Sequence, residues 1–182
     1  MKYPIIAAAV LALAGAPAAA QDQPSAPAAK AHADIKGPGV TGTADFTQRT
    51  MGSATVVEID LTASGLKPGK HGVHLHAVGK CEPDFGAAGG HFDPGPASNT
   101  DPDANHPFHM GDIPNLEVGA DGKGTLHAVT TRVTLTDGPL SLFDADGAAI
   151  IVHGNADQMI TGAPKSGVSG GPRAACGVIQ KQ

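Results

Sequence analysis

The readable stretches of this 182-residue chain alternate apolar and polar side chains with a period of two. No window of about twelve residues carries a sustained helical stripe. That pattern excludes a helix bundle and calls for strands. Residues 54–61, 72–78, 124–135 and 148–153 read as strands rich in β-branched side chains. Residues 31–36 and 42–47 read as an opening hairpin around Gly37-Pro38-Gly39. Turn chemistry separates the segments at Leu66-Lys67-Pro68-Gly69, Asp121-Gly122, Asp137-Gly138 and Asp146-Gly147. Several short strands so spaced imply an all-β antiparallel sandwich or flattened barrel.

Two stretches, 79–116 and 154–172, are long, rich in glycine and proline and without apolar periodicity. Connections of this length in a compact domain are functional or disordered. The first carries His91, His106, His109, Asp112 and Cys81, which favours function.

The N-terminus stands apart from the fold. Lys2 precedes an apolar run, 5–14, that is too short to span a bilayer, and small residues end in Ala18-Ala19-Ala20. Residues 1–20 therefore read as a secretory signal peptide, with no cysteine nearby for a lipid anchor. Residues 21–29 read as a Pro/Ala-rich flexible leader, and residues 30–182 as one domain of about 150 residues, enough for a real core. The expected location is periplasmic or secreted. Without Lys2, 11 basic residues face 17 acidic ones, a net charge of −6 with no basic run and no tryptophan. Nothing there suggests nucleic acid or a membrane surface.

Cys81 and Cys176, in an exported chain, read as a disulfide rather than as two free thiols. Neither has an adjacent histidine or a CxxC partner to make it a catalytic thiol.

Nine histidines is a high count, and imidazole is the commonest protein ligand for copper and zinc. On a strand, His74 and His76 share a face, so both rings can reach one ion. His153 can converge from a neighbouring strand and His91 from the long loop, a four-imidazole set that suits copper. His109 and Asp112, three apart, add a carboxylate and suit zinc. Each pair alone is better explained by a hydrogen-bonded strand histidine or a surface turn residue.

Five motifs occur in order: His71-Gly-Val-His74-Leu-His76, Gly89-Gly90-His91-Phe92-Asp93-Pro94, His109-Met-Gly-Asp112, Ile151-Val152-His153-Gly-Asn-Ala-Asp157, and Gly171-Pro-Arg173-Ala-Ala-Cys176-Gly-Val-Ile179. In this order they resemble the secreted, bacterial-type copper,zinc superoxide dismutases, from about Ala29 to Ile179. The resemblance implies a Greek-key, immunoglobulin-like sandwich with two long functional loops, and dismutation of superoxide to dioxygen and hydrogen peroxide. It implies copper on His74, His76, His91 and His153, and zinc on His91, His109 and Asp112, with His91 bridging the two. Arg173 matches the arginine that attracts superoxide, and Asp157 a carboxylate linking ligands of the two metals. His71 matches a supporting histidine of the ligand strand, and Cys81 and Cys176 the intrasubunit disulfide. Lys165 is a further candidate for steering the anion. The partner implied is superoxide, with no nucleic acid, no membrane anchor, and a monomer or homodimer.

One departure stands out. The family places another zinc histidine eight or nine residues after the bridging one, where this chain has Asn99 and Thr100. Either His106 takes its place through a rerouted loop, or His106 is a solvent-exposed loop residue and the zinc site is three-coordinate, weak or empty. The competing function is a periplasmic copper-binding or copper-storage protein of the same fold with weak or no dismutase activity. A sandwich domain with incidental histidines is the third reading.

Overall fold

The computed structural model describes residues 29–95 and 100–182. The expected signal peptide, the leader up to residue 28, and Asn99 lie outside the described residues. Ten strands and one 3₁₀ turn follow in chain order. They are β1 (Lys30–Gly37), β2 (Val40–Met51), β3 (Ala54–Ser64), β4 (Gly69–His71), β5 (Val73–His76), the turn Phe85–Ala88, β6 (Leu116–Val118), β7 (Lys123–Thr130), β8 (Ala149–His153), β9 (Arg173–Val178) and β10 (Gln180–Lys181).

All pairings are antiparallel, in the order β4-β6-β7-β3-β2-β1-β9-β8-β5, with β10 added to β1. The two ends of that order, β4 and β5, are separated in the chain only by Gly72. The sheet therefore rolls into a nearly closed barrel, which leaves little free edge for pairing with another chain. Because β3 pairs with β7 rather than with β4, the chain crosses over one end, as in a Greek key.

The period-two pattern decides what points inward. Ala31, Ala33 and Ile35 of β1, Ala44 and Phe46 of β2, and Val57, Ile59 and Leu61 of β3 form one core with Val73 and Leu75 of β5 and Ile150 and Val152 of β8. β8 is buried on both faces. Its other side, Ala149 and Ile151, packs with Ala88 and Cys176 into a smaller cluster under the disulfide loop.

Boundaries differ from the sequence reading where burial and backbone pairing part company. The strand expected over 124–135 pairs only to Thr130, although Val133 and Leu135 remain buried. Beyond Thr130 no strand takes the backbone, and the Gln48 side-chain oxygen accepts the Leu135 N–H at 2.6 Å instead. The segment 131–148 is thus a third long connection, anchored by Val133, Leu135 and Leu142. The second hairpin strand continues through polar residues to Met51, where alternation gave no signal. The expected strand over 72–78 starts at Val73, ends at His76, and hands its next N–H, from Ala77, to Gly90 O.

Candidate metal centre

His74 and His76 alternate with Val73 and Leu75, so they face away from the core. On a bare barrel they would be wet, yet both are fully buried. The long connections cover them. Phe92 N–H donates to Leu75 O, Leu75 N–H to Gly111 O, and Gly111 N–H to Phe92 O, all at 2.8–2.9 Å. These bonds lay the first loop beside β5 almost as extra strands, with His91 opposite His76 and Asp112 opposite His74. Gly111 is required for that approach, since a Cβ there would sit 2.3 Å from Leu75 O. His153, at the end of β8, comes in from the other side, its N–H donating to Gly72 O at 2.8 Å.

Four buried imidazoles, His74, His76, His91 and His153, bring one nitrogen each within 4.8 Å of one another. In these four rings the nitrogens without a hydrogen-bond partner are His74 Nδ1, His76 Nε2, His91 Nε2 and His153 Nε2. Every opposite nitrogen is engaged. His74 Nε2 meets Asp157 Oδ2 at 2.9 Å, His76 Nδ1 meets Gly89 O at 3.0 Å, His91 Nδ1 meets Asp112 Oδ1 at 2.7 Å, and His153 Nδ1 meets Gly171 O at 3.0 Å. Such partners fix each tautomer and leave one lone pair available. A buried polar atom without a partner costs about 1–3 kcal/mol, so four together need a common occupant. A four-nitrogen set fits copper.

The second group gathers around Asp112. Its Oδ1 meets His91 Nδ1, and its Oδ2 lies 3.0 Å from His109 Nδ1 and 3.2 Å from His106 Nδ1. His74, His91, His106 and Asp112 also satisfy a common 4.8 Å separation. His74 Nε2, however, is already held by Asp157, whereas His109 turns Nδ1 onto Asp112. Three imidazoles and one carboxylate fit zinc, which takes such ligands in a tetrahedral set. His106 is fully buried, so the exposed-loop alternative does not describe it. Its Nε2 meets both oxygens of Asp157, at 2.7 and 2.8 Å. Asp157 therefore links His74 of the first group to His106 of the second. Thr100 supplies a backbone oxygen to His91 N–H at 3.0 Å and no ligand.

The chain's residues 40–179 match the family model described as copper/zinc superoxide dismutase (SODC). The chain belongs to the copper/zinc superoxide dismutase family. Membership carries the enzyme class, an oxidoreductase acting on superoxide, and the two cofactors, copper and zinc. A relative from Deinococcus radiodurans, named superoxide dismutase [Cu-Zn], is 43% identical over 152 residues, covering 78% of each chain. A solved structure described as the clock protein EA4 superposes with a TM-score of 0.70 at 24% identity, covering 89% of this chain and 100% of that one. That likeness speaks for the fold alone.

Other family positions fall around the centre. Arg173, half-buried, donates to the backbone oxygens of Phe85 and Gly89. The Gly89 carbonyl also accepts from His76, so one backbone oxygen orients both the arginine and a ring of the first imidazole group. His71 lies between two carbonyls, His153 O at 2.7 Å and Lys67 O at 2.8 Å, and pins the end of β8. Cys81 and Cys176 are joined, with Cα atoms 5.8 Å apart. Lys165 is exposed on the second loop.

Several supporting groups had no sequence signal. The Gly89 and Gly171 oxygens are backbone atoms with no side chain to mark them. Asn115 exchanges two 2.9 Å bonds with the Asp157 backbone, a pairing across 42 residues that no local spacing announces.

Burial sets the protonation of the metal-free centre. It holds His74 and His76 below the ordinary imidazole value and lowers His91 from 6.5 to about 4, against the pull of Asp112. It lowers His153 to about 3, helped by the neighbouring His74. Burial also disfavours charge on His106, but Asp112 and Asp157 outweigh it and raise this ring to about 9. Burial pushes the Asp112 and Asp157 carboxyls upward, yet their histidine contacts hold both well below the usual range.

A ring with a depressed pKa gains a proton on unfolding, so its contribution is lost as pH falls from 6.5 toward 4 and 3. His106 has the opposite sign: its contribution is complete below 6.5 and lost as pH rises through about 9. The metal-free protein is therefore expected to resist urea best near neutral pH and to weaken on both sides. A urea midpoint that stayed constant between pH 7 and pH 4.5 would contradict neutral buried rings.

Proposed function

We propose that this superoxide dismutase works outside the cytoplasm, with copper held by His74, His76, His91 and His153. Zinc, on this reading, is held by His91, His106, His109 and Asp112, and His91 bridges the two ions. The observation that carries the reading is the set of four buried ring nitrogens facing one point, each with its opposite nitrogen engaged.

These four rings would hold copper, which would supply the one-electron redox chemistry that dismutation needs. Two superoxide ions and two protons thus become dioxygen and hydrogen peroxide. The protein's part is to attract the anion and to deliver a proton. Arg173 supplies a permanently charged guanidinium, held by two backbone oxygens, which offsets a surface of net negative charge. His91 Nε2 can hold a proton while its Nδ1 stays turned to the zinc side, so the ring can release that proton where superoxide is reduced. Asp112 keeps the ring from rotating, and Asp157 ties both sides together.

The N-terminal segment 1–20 and the disulfide support export to the periplasm or beyond, where disulfides persist. Among the described residues no helix is long and apolar enough to cross a membrane.

Metal analysis and superoxide decay on the full mature chain test the assignment. One copper and one zinc per chain are expected, with decay far above the spontaneous rate. His106→Ala is expected to release zinc and retain copper. Tight copper binding with superoxide decaying at its spontaneous pace would mark a copper carrier instead.

A further inference from the structure

The histidine that faces Asp112 in place of one at 99 or 100 comes from a segment with no helix or strand to orient it. Residues 101–106 turn tightly: Asp101 Oδ1 accepts from the N–H groups of Asp103 and Ala104, and Asn105 enters His106 with φ of 64°. What holds this turn in place is the second long loop. Asp103 is only 3% exposed. Its Oδ2 accepts from Gly167 N–H at 2.8 Å, and its Oδ1 accepts from Ser169 N–H at 3.0 Å and Ser169 Oγ at 2.8 Å. Its backbone oxygen accepts from Gly162 N–H at 2.8 Å, and Thr161 Oγ1 donates to His106 O at 2.6 Å.

The second loop is itself folded back. Ser169 pairs with Asp157, and Gln158 N–H donates to Val168 O at 2.8 Å. A closed ring results: Asp103 to Ser169, Ser169 to Asp157, Asp157 to the His106 imidazole, and His106 back to Asp103 along three residues of chain. Burial works against a charge on Asp103, but the Gly167 and Ser169 donors hold its carboxyl below the usual range.

We propose that Asp103 is a positioning residue for zinc: by gripping Gly167 and Ser169 it fixes the rerouted turn so that His106 faces Asp112. The proposal rests on the reading of His106 as a zinc ligand. It makes zinc retention in this chain depend on the second loop, through a carboxylate that touches no metal.

The test uses the full mature chain with its disulfide intact, as Asp103→Asn, Asp103→Ala, Ser169→Ala and His106→Ala. Zinc affinity is read by chelator competition, and cobalt(II) placed in the zinc site reports its coordination by visible absorption. Both Asp103 variants are expected to bind zinc about tenfold more weakly, the lower end for losing a group that supports a ligand. Their cobalt absorption should weaken, with copper affinity unchanged, and Ser169→Ala should fall between them and the parent. If His106→Ala leaves the cobalt spectrum unaltered, the ligand reading itself fails. If His106→Ala alters it while both Asp103 variants keep the parental spectrum and affinity, the positioning role is overturned. Loss of copper along with zinc in Asp103→Asn would mark general loosening of the loops and would also overturn it.

Discussion

Replacing His91 with alanine is expected to cut superoxide turnover of the metal-loaded protein by at least about 100-fold and to weaken both ions' retention. His74 and His91 both belong to the two donor groups. His74 has its Nε2 committed to Asp157, which leaves it only Nδ1. His91 alone turns Nδ1 to Asp112 while its Nε2 faces the other three rings. Its removal leaves three nitrogens on one side, two nitrogens and a carboxylate on the other, and no imidazole between them. A positioned general acid is worth about 10²–10⁴-fold by itself. Fast-mixing superoxide decay with metal analysis checks both parts. His153→Ala serves as the comparison, since it should impair copper and leave zinc in place. A His91→Ala protein with the parental rate would remove this ring from the mechanism.

Breaking the Cys81–Cys176 bond should produce the largest loss of stability. The cysteines are 95 positions apart, and the chain-entropy account assigns about 4–5 kcal/mol to a loop of that length. At about 2–4 °C per kcal/mol for a domain of this size, Cys81→Ser should melt about 8–20 °C lower. Activity should suffer too. The disulfide sits beside the small cluster of Ala88, Ala149 and Ile151, and it tethers the segment whose Phe85 and Gly89 oxygens hold Arg173. β9 carries both Arg173 and Cys176, so one strand joins the bond to the anion-attracting charge. Calorimetry of the metal-free variant isolates the stability effect from metal binding. An unchanged melting temperature would show that closing this loop contributes nothing.

Most strands and the His74/His76 pair were legible because both follow from local spacing, whereas His91 and His153 joined that pair through the five ordered motifs. Alternation puts Val73 and Leu75 inward and His74 and His76 outward with no knowledge of the rest of the chain. The limits of 124–135 were not legible, because side-chain burial at Val133 and Leu135 continues after the backbone has lost its strand partner. The second metal group was legible only in part. His109 and Asp112 sit three apart, but His106 gave two readings, and only its burial between Asp112 and Asp157 in the folded chain separates them. Nothing near Asp103 or Asn115 announces their partners at 167–169 and 157.

By itself the sequence determined the β architecture and the histidines able to bind metal, since each is a matter of residue type and short motifs. Only the tertiary structure decided which ring nitrogens meet, which backbone oxygens orient them, and how a displaced histidine reaches Asp112. Those outcomes depend on two long loops folding over one strand pair, and contacts across 40 to 90 residues leave no periodic trace in a chain.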